Sequence, residues 1–368
     1  MKFLLISPKN RTVYNFRGDL IKEIIKSGYE VIVTGPDNTD VNKIEALGAR
    51  FVEIPMNKTG TSILKDIKYC KSLGSLMKKE NPDIILGYTI KPVVYGSIAG
   101  KLVGVKNINC MVTGGGYTFT ATSFKAKLLG IIVRMLYRVG FACANHVIFQ
   151  NPDDLEEFCE RKLISRKKCS IVNGSGVNVD HYEVSEFPNE VSFFMLSRLL
   201  KSKGVVEYLQ AAEVVKKEYP HIKFFLLGKY ETNMQDAVAK EFVEQYIERG
   251  IIQRFDETND VRPYYAMSSV YVLPSYREGT PRTVLEAMAM GRPIITTDTQ
   301  GCRETVVENR NGFLVPIRDY EELANKMKLF IEQPTLLGTM GNASREYVIE
   351  KFEVGNVNAD MLRIMRIK

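Results

Sequence analysis

The chain alternates short apolar, β-branched runs with longer stretches in which apolar side chains recur every three or four positions. In the first half, runs at 3–7, 30–34, 51–54, 83–88, 107–112 and 146–150 predict buried strands. Between them, 18–27, 41–47, 62–80, 92–103, 123–141 and 152–161 carry the helical period. Gly28 and Gly48 stand where two of these helices stop, and Pro82 follows a third. Strand–helix alternation of this kind predicts an α/β arrangement, a parallel sheet covered by helices on both faces.

A looser stretch at 173–190, with Gly174, Gly176 and Pro188, interrupts the alternation, which then restarts. Further strands are predicted at 192–197, 222–227, 251–255, 270–274, 293–297 and 312–315. The full 368 residues exceed what one core comfortably organises. The reading is two doubly wound domains, 1–185 and 186–351, with a C-terminal helix at 352–368 expected to pack back across the first.

Composition narrows the function classes. Apolar residues at 45% and charged residues at 25% exclude a disordered chain. The longest apolar stretches, such as 128–133, fall far short of the ~20 residues a membrane helix needs. The start, 1–8, lacks the apolar length and cleavage site expected of a signal peptide. Six cysteines without C-x-x-C spacing read as buried free thiols in a reducing compartment.

Charge changes the picture further. The net +7 resides in 1–190, whereas 191–368 is balanced, and 101–150 holds six basic and no acidic side chains. Such asymmetry suits an anionic partner, either nucleic acid or membrane headgroups. Lys127, Arg134 and Arg138 share one side of the 123–141 helix, as a membrane-facing edge or an ordinary solvated one. No nucleic-acid module accompanies the charge, so a peripheral, anionic membrane surface ranks above nucleic acid, with an ordinary solvated edge equally open.

The chemistry concentrates in 270–298, VYVLPSYREGTPRTVLEAMAMGRPIITTD. A strand ends at Pro274, Thr280 is placed to N-cap a helix whose first residue is Pro281, and Gly291 is a left-handed stop. The loop Glu278-Gly279-Thr280 therefore lies at the carboxyl end of a parallel strand, where a helix start favours phosphate. Glu278 and Glu286 frame that loop. Carboxylates repel phosphate, so their natural partners are hydroxyls, such as those of a sugar ring and a ribose. Arg198 follows the 192–197 strand, and Lys203 opens the next helix at another carboxyl-end loop. Two cations so placed can stabilise negative charge on a phosphate-bearing ligand. With no D-x-D triplet, and Asp153-Asp154 read as a helix cap, that stabilisation is expected without metal. Gly114-Gly115-Gly116 follows a strand and permits close approach of a diphosphate or acceptor, or simply a bend. His146, His181 and His221 read as structural.

These motifs resemble a retaining nucleotide-sugar glycosyltransferase of family four, over the whole chain and most strongly over 195–315. Residues 274–304 are similar to those of bacterial enzymes building capsule, O-antigen or lipid-linked oligosaccharides. The resemblance implies the GT-B fold, two Rossmann-like domains with parallel sheets facing across a cleft, the first for acceptor and the second for donor. It implies Glu278 near the donor hexose and Glu286 on the ribose, with the backbone of Gly279, Thr280 and Pro281 beside sugar and phosphates. Arg198 and Lys203 match the family's diphosphate clamp, and Gly228 its glycine turn beside the nucleotide. Asp256 replaces a more usual glycine, which puts base contacts by Glu257 and Thr258 in doubt. The implied activity moves a hexose or N-acetylhexosamine from a UDP-sugar to a lipid-linked or oligosaccharide acceptor. It needs no cofactor or metal and takes place at the cytoplasmic face of the inner membrane. A sugar-nucleotide epimerase and a non-catalytic nucleotide-sugar-binding scaffold are the rival readings. Arg198, Lys203, Glu278 and Glu286 occurring together argue against the scaffold.

Overall fold

A computed structural model describes residues 1–57, 62–114, 124–232 and 234–367, without the side chains of 124–129. The chain divides into two units, Met1–Gly176 with Val354–Lys368, and Val177–Glu353.

The first unit runs β1 (Lys2–Ile6), α1 (Asn10–Lys26), β2 (Glu30–Gly35), α2 (Val41–Glu45), β3 (Arg50–Glu53), α3 (Ile63–Glu80) and β4 (Ile84–Tyr88). It continues through α4 (Ile90–Val103), β5 (Asn107–Val112), α5 (Phe124–Cys143), β6 (His146–Phe149), α6 (Pro152–Glu160) and β7 (Cys169–Ile171). Its seven strands are ordered β3-β2-β1-β4-β5-β6-β7, every pair parallel. Both faces are covered, so the central strands carry buried apolar residues on both sides instead of alternately. Leu4 and Ile6 meet Leu73, Val93, Tyr137 and Phe158 of α3 to α6 on one side. Phe3 and Leu5 meet Val13, Ile21 and Ile44 of α1 and α2 on the other.

The second unit contains β8 (Ser192–Leu196), α7 (Val205–Glu218), β9 (Lys223–Leu227), α8 (Lys240–Glu248), β10 (Gln253–Phe255), α9 (Arg262–Ala266) and β11 (Val270–Leu273). After these come α10 (Arg282–Ala289), β12 (Ile294–Thr297), β13 (Gly312–Val315), α11 (Tyr320–Glu332) and α12 (Thr335–Phe352). Its six parallel strands are ordered β10-β9-β8-β11-β12-β13. The last helix, α13 (Val354–Met365), returns to the first unit. There Met361 and Met365 enter the core beside α1, and Asn107 Nδ2 donates to Met365 O at 2.7 Å.

Several expectations are corrected. The junction lies at Gly176–Val177, not at 185, because the apparent linker is bound into the second unit. Val177 and Tyr182 join its core, and Arg345 Nη1 donates to Val179 O at 3.1 Å and Tyr182 O at 3.0 Å. Arg292, fully buried, donates to Ser185 O at 2.9 Å and Glu186 O at 3.0 Å. Burial lowers the Arg292 pKa to about 10, still cationic at neutral pH. The cap of α6 is Asn151, whose side chain accepts from Asp154 N at 2.7 Å, and Asp153 and Asp154 lie in the first turn. All six cysteines are free, yet only Cys110 and Cys302 are buried, the other four being half-buried. In the first unit, two elements escaped the sequence pattern. One is the short edge strand β7, and the other is the start of α1, where Asn10, Arg11, Thr12 and Asn15 dilute the apolar period. Among the described residues, no helix is long and apolar enough to cross a membrane.

Candidate functional site

The candidate residues gather at the carboxyl edge of the second sheet, in the loops that follow β8, β11 and β12. Threonine hydroxyls from the β12 side satisfy carbonyls at the end of β11 and in the loop that follows it. Thr296 donates to Leu273 O at 2.7 Å, Thr297 to Ser275 O, and Thr299 to Tyr276 O at 3.2 Å. The loop after β8 lies directly against it. Tyr276 N donates to Ser202 O at 2.9 Å, and Gly204 sits in the left-handed region at φ +74. A Cβ on Gly204 would stand 2.1 Å from Pro274 O, so only glycine allows this backbone contact.

That contact delivers Lys203 to Glu278. The Lys203 ammonium donates to Glu278 Oε1, the two side chains being 23% and 15% exposed. Ser275 Oγ stands 2.8 Å from the same oxygen and 3.1 Å from Ser202 O, so its single proton serves one of them at a time. Glu278 N donates to Gln300 O at 3.1 Å. Gly301, at φ +76, packs beneath; a Cβ there would stand 2.4 Å from Glu278 O and 2.3 Å from Gly279 O. Cation and carboxylate are thus held by main-chain contacts between loops far apart in sequence.

Glu286 is buried on α10, at 7% exposure, and is not the solvent-facing helix residue that an isolated motif suggests. Its Oε2 accepts from Tyr265 Oη at 3.2 Å and its Oε1 from Arg282 Nε at 3.2 Å. Burial, then the nearby carboxylate, push the Tyr265 pKa well above that of a free phenol, so it remains a donor. The start of α10 differs from expectation. Pro281, at φ −72 and ψ 105, is extended and occupies the N-cap itself, without a side-chain cap bond; Thr280 is one residue too early to cap the helix.

The other expected residues are scattered. Arg198 is half exposed, with Nη1 3.3 Å from Met234 Sδ and 3.9 Å from Glu231, and takes no part in the Lys203–Glu278 pair. A Cβ on Gly228 would stand 1.9 Å from Ser197 O, so the crossing of the β8 and β9 ends already demands glycine there. Lys229 and Glu257 form an exposed ion pair at 3.6 Å. Gly114 adopts φ +113, in the first unit, while Gly115 and Gly116 lie outside the described residues. His146 Nε2 is hydrogen-bonded to Ser170 Oγ at 2.8 Å, and the His181 ring packs edge-on against Tyr182. Among the described residues, no group of three or more His, Cys, Asp or Glu side chains is placed to hold a metal. Reasoning from sequence missed Ser275, Tyr265 and Gly301, and placed Gly204 at the start of a helix without its contact with Pro274. Only the two glycines, each in the stretch that follows a predicted strand, left any trace there.

Two family models together span most of the chain. "Glycosyl transferase 4-like" matches residues 2–151, and "Glycosyl transferases group 1" matches residues 180–347. The chain is a glycosyltransferase. Two curated relatives align across most of its length. One is the N,N'-diacetylbacillosaminyl-diphospho-undecaprenol alpha-1,3-N-acetylgalactosaminyltransferase of Campylobacter jejuni, 25% identical over 94% of each chain. Another is the UDP-Gal:alpha-D-GlcNAc-diphosphoundecaprenol alpha-1,3-galactosyltransferase of Escherichia coli, 26% identical over 82% of this chain and 79% of that one. Among solved structures, Anabaena Alr3699/HepE in complex with UDP and glucose superposes with a TM-score of 0.81 at 17% identity, covering 100% of this chain and 99% of that one. The glycosyltransferase therefore has the GT-B fold, built from its two parallel-sheet units.

Proposed function

We propose that this glycosyltransferase moves a hexose or N-acetylhexosamine from a UDP-sugar to a polyprenyl-diphosphate-linked glycan during surface polysaccharide assembly. Transfer retains the anomeric configuration and uses no metal. The observation that carries this reading is the Lys203 ammonium held against Glu278 at the carboxyl edge of the second sheet. The donor diphosphate takes over Lys203, the sugar hydroxyls take over Glu278, and the ribose hydroxyls bond Glu286. The C1–O bond to phosphate breaks with its electron pair going to the phosphate oxygen, where Lys203 stabilises the growing charge. The acceptor oxygen bonds C1 from the same face, and its proton passes to the departing phosphate oxygen. Arg198, half exposed beside the same sheet edge, swings to the diphosphate as the second cation. A UDP-sugar donor and a diphosphoundecaprenol-linked acceptor both stand in the name of the E. coli relative, and a diphospho-undecaprenol acceptor in that of the C. jejuni relative.

The acceptor places the enzyme at an anionic membrane surface on the cytoplasmic face, held peripherally. In support, α5 exposes Ile131, Ile132, Met135 and Val139 close in sequence to Arg134 and Arg138. The side chain of Lys127 lies outside the described residues.

The test is transfer from a panel of UDP- and GDP-sugars to a synthetic polyprenyl-diphosphate N-acetylhexosamine after exhaustive chelation, with the product anomer read by NMR. Retained configuration from a UDP-sugar in chelator is expected. Turnover restricted to GDP-sugars, an inverted product, or strict dependence on Mg²⁺ or Mn²⁺ would overturn the corresponding part. Epimerisation of the UDP-sugar without acceptor would replace the reading.

A further inference from the structure

Glu207, in the first turn of α7, is 7% exposed, and its Oε2 has no hydrogen-bond partner among the described residues. A buried carboxylate oxygen left this way costs stability, and an apolar side chain at the same site would not incur it. What the residue contributes therefore lies with its other oxygen. Oε1 accepts from Tyr276 Oη at 2.5 Å. Burial first, and Glu207 second, raise the Tyr276 pKa above that of a free phenol, so the hydroxyl keeps its proton and stays a donor.

Tyr276 is also fixed through its main chain, by N to Ser202 O at 2.9 Å and by Thr299 Oγ1 to its own carbonyl at 3.2 Å. Arg318, in a left-handed backbone at φ +62, places Cζ 5.0 Å from the centre of its ring. Glu207 follows Lys203 by four residues, and Tyr276 precedes Glu278 by two. The Tyr276–Glu207 bond thus ties together the two loops that carry the cation and the carboxylate.

We propose that Glu207 and Tyr276 are a positioning pair that sets the separation of Lys203 and Glu278 during transfer, which rests on the roles given to those two residues above. In the empty site the ion pair adds to the main-chain contacts that hold the loops together. Once the diphosphate and the sugar have drawn the two side chains apart, the Tyr276–Glu207 bond remains, together with Ser275 Oγ to Ser202 O and Tyr276 N to Ser202 O, and of these three ties it is the one formed between two side chains. Its loss affects the step in which both groups engage the reacting sugar more than it affects nucleotide binding.

Tyr276→Phe, Glu207→Ala, Glu207→Gln and the Tyr276→Phe/Glu207→Ala double variant are compared with wild type, with Lys203→Ala as control. Donor kcat and KM, UDP affinity by calorimetry, and thermal midpoint are measured for each. Tyr276→Phe and Glu207→Ala are expected to lower kcat about 10-fold or more, with KM and UDP affinity within about 3-fold. The double variant should lose no more than either single one, as expected for partners in one bond. Glu207→Gln, whose amide oxygen still accepts from Tyr276, should recover kcat to within about 3-fold of wild type. Unchanged kcat in Tyr276→Phe, additive losses in the double variant, or losses that merely follow a falling midpoint would overturn the positioning role. If Lys203→Ala also leaves transfer and UDP binding unchanged, the reading of the whole site falls instead.

Discussion

Replacing Glu278 by glutamine is expected to tighten the binding of UDP while slowing sugar transfer. In the empty site Glu278 occupies the ammonium of Lys203, which the diphosphate must win before it can bind there. Both side chains are mostly buried, at 23% and 15% exposure, so water screens the pair only partly. Charges about 4 Å apart in a surroundings of effective dielectric ~20 attract by roughly 4 kcal/mol. Desolvation and side-chain ordering offset much of this, leaving a net of about 1–2 kcal/mol that UDP must overcome. Glu278→Gln removes that competitor and the repulsion between carboxylate and phosphate, so the UDP dissociation constant should fall about 5- to 30-fold. Turnover should fall, because the amide holds the sugar hydroxyls less strongly than the carboxylate does. Calorimetric titration with UDP, at low and at high salt, measures the gain. Lys203→Ala should bind UDP more weakly than wild type. Adding Glu278→Gln to that background should restore much less affinity, since no cation remains to be released. Equal or weaker UDP binding by a folded Glu278→Gln protein would refute the competition on which this rests.

Glu286→Ala should weaken UDP about 10-fold with little loss of fold, because Tyr265 Oη keeps its bond to Thr283 O at 2.9 Å. Calorimetry showing unchanged UDP affinity would remove the ribose role. Burial, and then Arg366 of the returning C-terminal segment, lower the His146 pKa in the folded state. The unfolded chain then takes up that proton first as pH falls, so this contribution to stability is present above about pH 6.5 and is lost as pH drops through the lower folded value. The thermal midpoint should therefore decline between about pH 7 and 5, and His146→Gln should flatten that decline; an unchanged slope would exclude His146 as its source. Vesicles containing anionic lipid should co-sediment the protein at low salt and release it at high salt, each basic side chain near the surface contributing about 1 kcal/mol. Arg134→Glu/Arg138→Glu should weaken this, and failure of the wild type to bind would make α5 an ordinary solvated face.

The amino-acid sequence by itself determined the alternation of buried strands and helices, the two-unit plan and the β11-loop-α10-β12 unit that carries Glu278 and Glu286. These are legible because a parallel strand covered on both faces is a continuous apolar run, and each crossover helix repeats its apolar period within a few turns. The charge asymmetry and the glycine-marked loops are local in the same sense. Only the tertiary structure decided which charges meet. Lys203 and Glu278 are 75 residues apart and pair because Gly204 lets one loop lie on Pro274, whereas Arg198, five residues before Lys203, faces Met234 and Glu231 instead. The same holds for the junction, where a polar, glycine-bearing stretch reads as a linker until Arg292 and Arg345 are seen donating to its carbonyls. Main-chain carbonyls carry no sequence signature, so hydrogen bonds to them, and the loop placements they enforce, emerge only once distant strands have been brought side by side.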